Sequence, residues 1–150
     1  MEEDQDTVID KQIELTLIPA PTNHEQKKAA RLLEMFKEEG LTDCHIDEYG
    51  NCVGIRKGTG GGKKVLVEGH MDTVFPLDTK LEIVREDGFI KCPGIVDDTR
   101  GCATVLSTIR ALNAAGIETK GDIQFVGTVQ EEGTGALKGM QYYVNHHPEL

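Results

Sequence analysis

The sequence predicts an α/β fold built on a sheet that contains parallel strands. Two short apolar runs, "KVLVEG" (64–69) and "DIQFVGTV" (122–129), are typical of strands buried on both faces of such a sheet. Segments with the spacing of amphipathic helices alternate with these strands. We expect one domain from the 150 residues, since no repeat, low-complexity tract or linker divides them.

The amino-terminal part of the chain predicts two helices. The first spans 7–18, with apolar residues four positions apart, and "IPAP" ends it. The second begins where Thr22 and Glu25 have the spacing of a capping box, and it ends at Gly40.

The rest of the chain predicts two further pairs of strands and two further helices. The strand pairs are 43–47 with 51–57, joined at "YGN", and 80–85 with 88–91, joined around "EDG". The helices are 100–115 and 135–146.

The charge balance excludes two classes of partner. Sixteen basic residues against 26 acidic ones give a net charge of −10, which argues against nucleic acids and anionic membranes. No stretch approaches the roughly 20 apolar residues of a membrane span. The acidic start "MEEDQD" has no apolar segment behind it, and four scattered cysteines lack a CxxC pair. We therefore expect a cytoplasmic protein with reduced thiols.

Three turns carry the chemistry-bearing side chains. One follows the "KVLV" strand, one precedes the helix near residue 100, and one follows the "IQFV" strand. Together they hold one histidine and five acids: His70, Asp72, Asp97, Asp98, Glu131 and Glu132. In open parallel sheets functional groups collect beyond the carboxyl ends of the strands, so we expect these groups to meet at one rim. Such a cluster of acids repels itself unless a cation lies among them.

The spacings suit a divalent metal ion. In extended backbone Asp72 faces the same way as His70, and a ligating imidazole usually donates its other N–H to a carboxylate. Glu131 and Glu132 point to different sides, so one can bind metal while the other moves a proton. An aspartate has two oxygens and can bridge two ions about 4 Å apart.

Each turn also has an ordinary structural interpretation. An HxD sequence is most often a polar loop, and a Glu-Glu pair is most often solvated surface. Asp97 and Asp98 are acids of the kind that favour a helix amino terminus. The coincidence of three such turns at equivalent topological positions favours the metal site.

The motifs "GHMDTVFP", "PGIVDDTRG" and "FVGTVQEEG", in this order and spacing, closely resemble those of the co-catalytic zinc exopeptidases and deacylases. That family includes aminoacylase, acetylornithine deacetylase, succinyl-diaminopimelate desuccinylase and peptidase T, and the resemblance runs from about Pro19 to near the chain end. It implies a three-layer α/β catalytic domain with helices on both faces of the sheet. Many relatives read "DxKG" where this chain has Thr99 and Arg100 before Gly101.

The resemblance also implies a role for each residue. His70 would bind one zinc ion, Asp97 would bridge both ions and Glu132 would bind the second. Asp72 would orient His70, and Glu131 would be the general base. A cis peptide bond would follow the bridging aspartate. Each complete site would hold two Zn²⁺, with Co²⁺ or Mn²⁺ as possible substitutes.

The implied function is zinc-dependent hydrolysis of an amide bond in a small peptide or an N-acylated amino acid. These residues are too few to complete the site, because a catalytic zinc ion takes about three protein ligands. We therefore expect residues 1–150 to be the amino-terminal portion of one catalytic domain. The lid domain, through which the full protein would form a homodimer, and the carboxyl-terminal half would be absent. The isolated chain is expected to bind zinc weakly or partially and to have little activity.

Two other functions stay open from the residues. One is a catalytically silent binding domain that has kept the fold without a complete metal site. The other is an acidic α/β module that binds one Ca²⁺ or Mg²⁺ through oxygen ligands. A histidine ligand at His70 favours zinc over those two ions.

Overall fold

A four-stranded mixed sheet organises the chain, which a computed structural model describes over residues 2–150. The helices are α1 (Glu2–Thr16), α2 (Gln26–Glu38), α3 (Thr99–Ala114) and α4 (Lys138–His146). The sheet strands are β1 (Thr42–Ile46), β2 (Cys52–Arg56), β3 (Val65–His70) and β6 (Ile123–Thr128). A separate hairpin consists of β4 (Val84–Glu86) and β5 (Phe89–Lys91), and a 3-10 turn, Gly133–Gly135, precedes α4.

The strand order is β1-β2-β6-β3, with β3 parallel to β6 and the other pairs antiparallel. Helix α3 makes the crossover between the two parallel strands. Their register pairs Val65 with Ile123 and His70 with Thr128. The chain segments that follow β3 and β6 therefore leave the sheet side by side, which brings the first and third predicted turns together.

Helices cover both faces of the sheet, which confirms the predicted three-layer α/β fold. On one face, Cys52 of β2 and Phe125 of β6 lie in a core with residues of α1, α2 and α3. On the other face, the neighbouring residues Val53 and Val126 pack with Tyr143 of α4. The alternation follows from the two-residue period of a strand.

One strand is less buried than its sequence predicts. Strand β6 is buried along nearly its whole length, as expected. Strand β3 is not buried on both faces: Val65 is 49% exposed and Glu68 is also exposed. Within residues 2–150 it is the last strand of the sheet, with β6 as its one neighbour, so residues on both of its faces, such as Val65 and Glu68, meet solvent.

Several element boundaries differ from the prediction. Helix α1 ends at Thr16 rather than at 18, and the first hairpin strand covers only 84–86 instead of 80–85. The predicted capping box is wrong: among the described residues, the Glu25 side chain makes no hydrogen bond to the amides of α2. The reason is that Thr22 and Glu25 bind residues far along the chain, as described below.

Cysteine pairing and helix hydropathy can be read from the described residues. All four cysteines are unpaired, and Cys52 and Cys102 are buried. None of the helices within residues 2–150 is both long and apolar enough to span a bilayer.

Candidate metal centre

The three predicted turns meet at the carboxyl ends of β3 and β6. The parallel pairing continues one residue beyond the strands, where Met71 N donates to Thr128 O at 2.8 Å. Asp98 is the N-cap of α3, and its carboxylate also accepts a hydrogen bond from His70 N at 3.2 Å. The start of α3 is thus joined to the end of β3, which brings the second turn to the same rim.

His70 lies at the centre of this cluster. Its Nε2 atom is 3.1 Å from Asp97 Oδ1 and 3.7 Å from Glu131 Oε2. On the opposite side of the ring, Nδ1 is 3.1 Å from the carbonyl oxygen of Asp72 and 3.5 Å from Asp72 Oδ1. One ring nitrogen therefore faces Asp72, and the other faces Asp97 and Glu131.

Asp72 is a fully buried carboxylate that holds the third turn in place. Its Oδ1 accepts a hydrogen bond from Glu131 N at 3.0 Å, and its Oδ2 accepts one from Glu132 N at 3.0 Å. Oδ2 also accepts a hydrogen bond from Thr22 Oγ1 at 2.8 Å. Asp72 therefore fixes the backbone of both glutamates as well as facing the His70 ring.

Asp97 and Asp98 have different environments. The Asp98 carboxylate caps α3 by accepting a hydrogen bond from Gly101 N at 2.8 Å, which is the ordinary role of an acid at a helix start. The Asp97 side chain is 75% exposed and contacts His70. The peptide bond between the two is cis, as the family resemblance implies.

The chain departs from the family pattern at Thr99 and Arg100, and the arginine contacts α1. Arg100 Nη1 donates to Gln12 Oε1 of α1 at 2.9 Å. Gly101 is required by space, because a Cβ atom there would overlap the Asp98 carboxylate.

Burial and charge shift the pKa values at this rim. Burial alone would lower the pKa of His70, but Asp72, with Asp98 and Glu131, raises it to about 9. Burial would raise the pKa of Asp72, yet its hydrogen bonds to His70, the two glutamate amides and Thr22 lower it to about 2. Glu132 has a raised pKa because of burial and of the negative charges of Asp97 and Glu131. The negative charges of Asp97 and Glu131 thus repel the Glu132 carboxylate at this rim.

The donor set fits a divalent metal ion. His70, Glu131 and Glu132 each offer a ligand atom, and these three atoms lie within 4.8 Å of one another. Imidazole nitrogen and carboxylate oxygen are zinc donors, and a cation would relieve the repulsion that raises the Glu132 pKa. Asp97 adds a further oxygen beside His70 Nε2. The roles predicted for these residues stay predictions, and Glu131, predicted as a base, belongs geometrically to the donor group.

Two residues of the cluster's surroundings were not predicted to take part in it. Thr22 binds Asp72, and Glu25 Oε1 accepts a hydrogen bond from Gln130 N at 3.1 Å. Their local spacing indicated a capping box, and nothing within the α2 sequence distinguishes that arrangement from the observed one. A short parallel bridge between Pro21 and Thr73 brings this segment to the rim.

Comparison with known proteins identifies the family. Residues 66–149 match the family described as Peptidase family M20/M25/M40. The chain belongs to this family. The predicted resemblance is therefore confirmed, and the M20 match includes all three turns of the cluster.

Relatives in sequence and in structure agree with the M20 assignment. Succinyl-diaminopimelate desuccinylase of Corynebacterium glutamicum is 30% identical over 132 residues, which are 88% of this chain and 35% of that protein. The crystal structure of aminopeptidase PepT from Bacillus cereus has a TM-score of 0.76 at 26% identity, over 91% of this chain and 39% of its own. A Bacillus subtilis protein described as a dinuclear metal binding peptidase of the M20 family shares the fold at 18% identity, with a TM-score of 0.72 over 96% of this chain and 41% of its own. The chain spans about a third of the length of the curated relatives it matches.

Proposed function

We propose that this protein hydrolyses amide bonds by means of two divalent metal ions held at the rim, with zinc as the native metal. The observation that carries the proposal is the convergence of His70, Asp97, Glu131 and Glu132 from three separate turns. Membership of the M20 family supports it, as do relatives named as a desuccinylase and an aminopeptidase. The dinuclear metal in the name of the B. subtilis relative supports a pair of ions.

In this proposal His70 would hold one ion, Glu132 would hold the other, and Asp97 would be a ligand shared by both. Ions bound there would polarise the substrate carbonyl and lower the pKa of a water molecule to near neutrality. To ligate, His70 must be neutral at Nε2, which keeps its remaining proton on Nδ1. There the Asp72 carbonyl oxygen and carboxylate accept it and fix the orientation of the ring.

Glu131 moves the proton. Its carboxylate faces the cluster, with Oε2 3.7 Å from His70 Nε2, and its backbone is fixed by Asp72. It accepts a proton from the attacking water and later donates it to the leaving amine, acting first as base and then as acid.

The substrate class is a small peptide or an N-acylated amino acid. Both kinds present an amide carbonyl to the rim, and the names of the relatives include both. The homodimer, the cytoplasmic location and the status of residues 1–150 as the amino-terminal portion of one catalytic domain, with the lid domain and the carboxyl-terminal half outside it, stay predictions.

The test is a metal titration of the chain combined with an amidase assay. The chain is titrated with Co²⁺, whose visible spectrum reports coordination, and with Zn²⁺ in competition. We expect His70→Ala and Glu132→Ala to weaken binding about 100-fold, as ligand removal costs at least as much as loss of an outer-shell partner. Glu131→Gln is expected to bind metal nearly as well as the wild type.

Hydrolysis is assayed on the same proteins with dipeptides and N-acyl amino acids. Any turnover by the wild type is expected to disappear in Glu131→Gln. A wild-type chain that binds neither metal would overturn the proposal and favour a silent binding domain. If Glu131→Gln loses metal as strongly as His70→Ala, Glu131 is a ligand and not the base. Two tightly held zinc ions with rapid turnover would show that these 150 residues form a complete centre, contrary to expectation.

A further inference from the structure

Two buried carboxylates, those of Asp72 and Glu25, hold the loop that presents Glu131 and Glu132. Only Asp72 belongs to one of the three turns that form the candidate site. Asp72 accepts hydrogen bonds from Glu131 N and Glu132 N. The preceding amide, Gln130 N, donates to Glu25 Oε1 at 3.1 Å. Three consecutive amides therefore donate hydrogen bonds to carboxylates. The first of them donates to Glu25 at the start of α2, which is 105 positions away in sequence.

Gln130 needs this support because of its backbone conformation. Its φ angle is 56°, in the left-handed region that residues with a Cβ atom rarely adopt. This residue turns the chain from the end of β6 towards His70, so its conformation decides where Glu131 and Glu132 point. Asn23, with φ 74°, donates its N–H to the same Glu25 oxygen at 3.0 Å. One carboxylate oxygen thus serves two left-handed residues in two loops that meet at the rim.

The position of Glu25 shows that its side chain serves the loop and not its own helix. Glu25 is 3% exposed and is the N-cap residue of α2, yet within residues 2–150 its side chain caps none of that helix's free amides. An acid at this position ordinarily stabilises the helix through its amides and its dipole. Here the carboxylate extends instead to Gln130.

We propose that Glu25 is a positioning residue for the metal centre: through Gln130 N it fixes the turn that aims Glu131 and Glu132 at His70. What the two glutamates then do rests on the proposed function. Without the Glu25 contact, Gln130 loses the acceptor that supports its left-handed conformation. The group formed by His70, Glu131 and Glu132, whose ligand atoms now lie within 4.8 Å of one another, then opens.

A pair of conservative variants tests this role. Glu25→Gln keeps the length of the side chain and an acceptor oxygen but removes the charge. Glu25→Asp keeps the charge and is a better N-cap residue, but it is one carbon shorter and draws the acceptor away from Gln130 N. We expect Co²⁺ affinity to stay close to the wild-type value in Glu25→Gln and to fall about 10-fold or more in Glu25→Asp, the size of effect seen when an outer-shell partner is lost. A helix-capping or charge role predicts the reverse order.

Hydrogen exchange supplies a readout that does not depend on metal. In the metal-free chain, the Gln130 amide is expected to exchange faster in Glu25→Asp and at nearly the wild-type rate in Glu25→Gln. Asp122→Ala is the matched control, because Asp122 Oδ1 holds the amide of Gly58 at 2.8 Å in a loop at the opposite end of the sheet. It should change neither Co²⁺ affinity nor Gln130 exchange.

The outcomes separate this proposal from the proposed function. Unchanged Co²⁺ affinity and unchanged Gln130 exchange in Glu25→Asp would overturn the role of Glu25 while leaving the metal centre intact. If the wild-type chain binds no metal, the proposed function fails, and Gln130 exchange alone decides whether Glu25 holds the loop. A larger loss of affinity in Glu25→Gln than in Glu25→Asp would also overturn the proposal.

Discussion

The two ends of the sheet are both closed by loops, but different kinds of contact hold them. At the amino end, loops 58–64 and 119–122 join through backbone groups, with Thr59 N donating to Thr119 O at 2.8 Å and Gly60 N to Lys120 O at 2.9 Å. Glycine permits the close approach, because a Cβ atom on Gly121 would overlap the carbonyl of Lys63. At the carboxyl end, the loop amides of 130–132 bind the side chains of Asp72 and Glu25.

This difference in contacts indicates that the amino end of the sheet contributes to stability and the carboxyl end to the candidate site. At the amino end backbone contacts predominate, and the charged side chains there, such as Asp122 with Gly58 N and Lys57, are not fully buried, so we expect those loops mainly to connect strands. Side-chain anchoring at the carboxyl end brings buried charges to the rim, fixes the backbone and leaves the side chains of Glu131 and Glu132 directed at His70. We therefore expect changes at the amino end to affect folding and changes at the carboxyl end to affect metal binding.

The largest expected effect is a loss of stability at the amino end. Gly121→Ala should lower the free energy of unfolding by about 3 kcal/mol, since the new methyl group meets backbone that cannot move aside cheaply. Urea unfolding of the two proteins measures the difference. Molecules that remain folded should bind Co²⁺ with wild-type affinity, and a matching loss of affinity would contradict the separation of the two ends.

The next effect is a loss of metal affinity at the carboxyl end. Asp72→Asn should weaken Co²⁺ binding 10- to 100-fold, because the amide –NH₂ would face an N–H donor where the carboxylate accepts from Glu131, Glu132 and Thr22. Asp122→Asn makes the same chemical change at the amino end and should leave the affinity unchanged. Equal affinities in these two variants would show that Asp72 does not position the centre.

The sequence predicts best what depends on local pattern. Helix and strand positions follow from apolar spacing, and the wrong boundaries lie at ends such as Thr16, where periodicity is weak. The low burial of β3 was not predictable, because the apolar run looks the same in an edge strand and a central one. What sets its exposure is its place in the strand order.

The candidate site also has features that the sequence predicts and features that it does not. The turns after β3 and β6 could be expected at one rim, because both strands end there in a parallel pair. The different environments of Asp97 and Asp98 could not be derived from spacing, since adjacent acids before a helix suit capping equally well. Thr22 and Glu25 were misassigned because Asp72, which binds Thr22, and Gln130, which binds Glu25, lie 50 and 105 residues away, where no local pattern reports them.

The smallest effect concerns a buried charge of α2 near this rim. Lys28 lies one turn before Leu32 on the apolar face of α2 and is 1% exposed. Burial lowers its pKa from 10.5, against the opposing influence of Cys102 and Asp72. Lys28→Met should therefore raise the free energy of unfolding by about 1–2 kcal/mol at neutral pH. Lys27→Met, on the exposed side of the same turn, should change it by less than about 0.5 kcal/mol.

The pH dependence distinguishes burial of this charge from better packing of the methionine. Between its lowered pKa and 10.5, Lys28 is protonated in the unfolded chain but not in the folded one. The destabilisation that its burial causes therefore decreases, and the free energy of unfolding of the wild type increases, as the pH rises through this window. Below the lowered pKa the full penalty is present. The advantage of Lys28→Met should thus be largest below the lowered pKa and shrink towards pH 10.5, measured by urea unfolding at several pH values. An advantage that is the same at every pH would show that packing, not charge, explains it, and that the carboxyl end accommodates a buried ammonium without penalty.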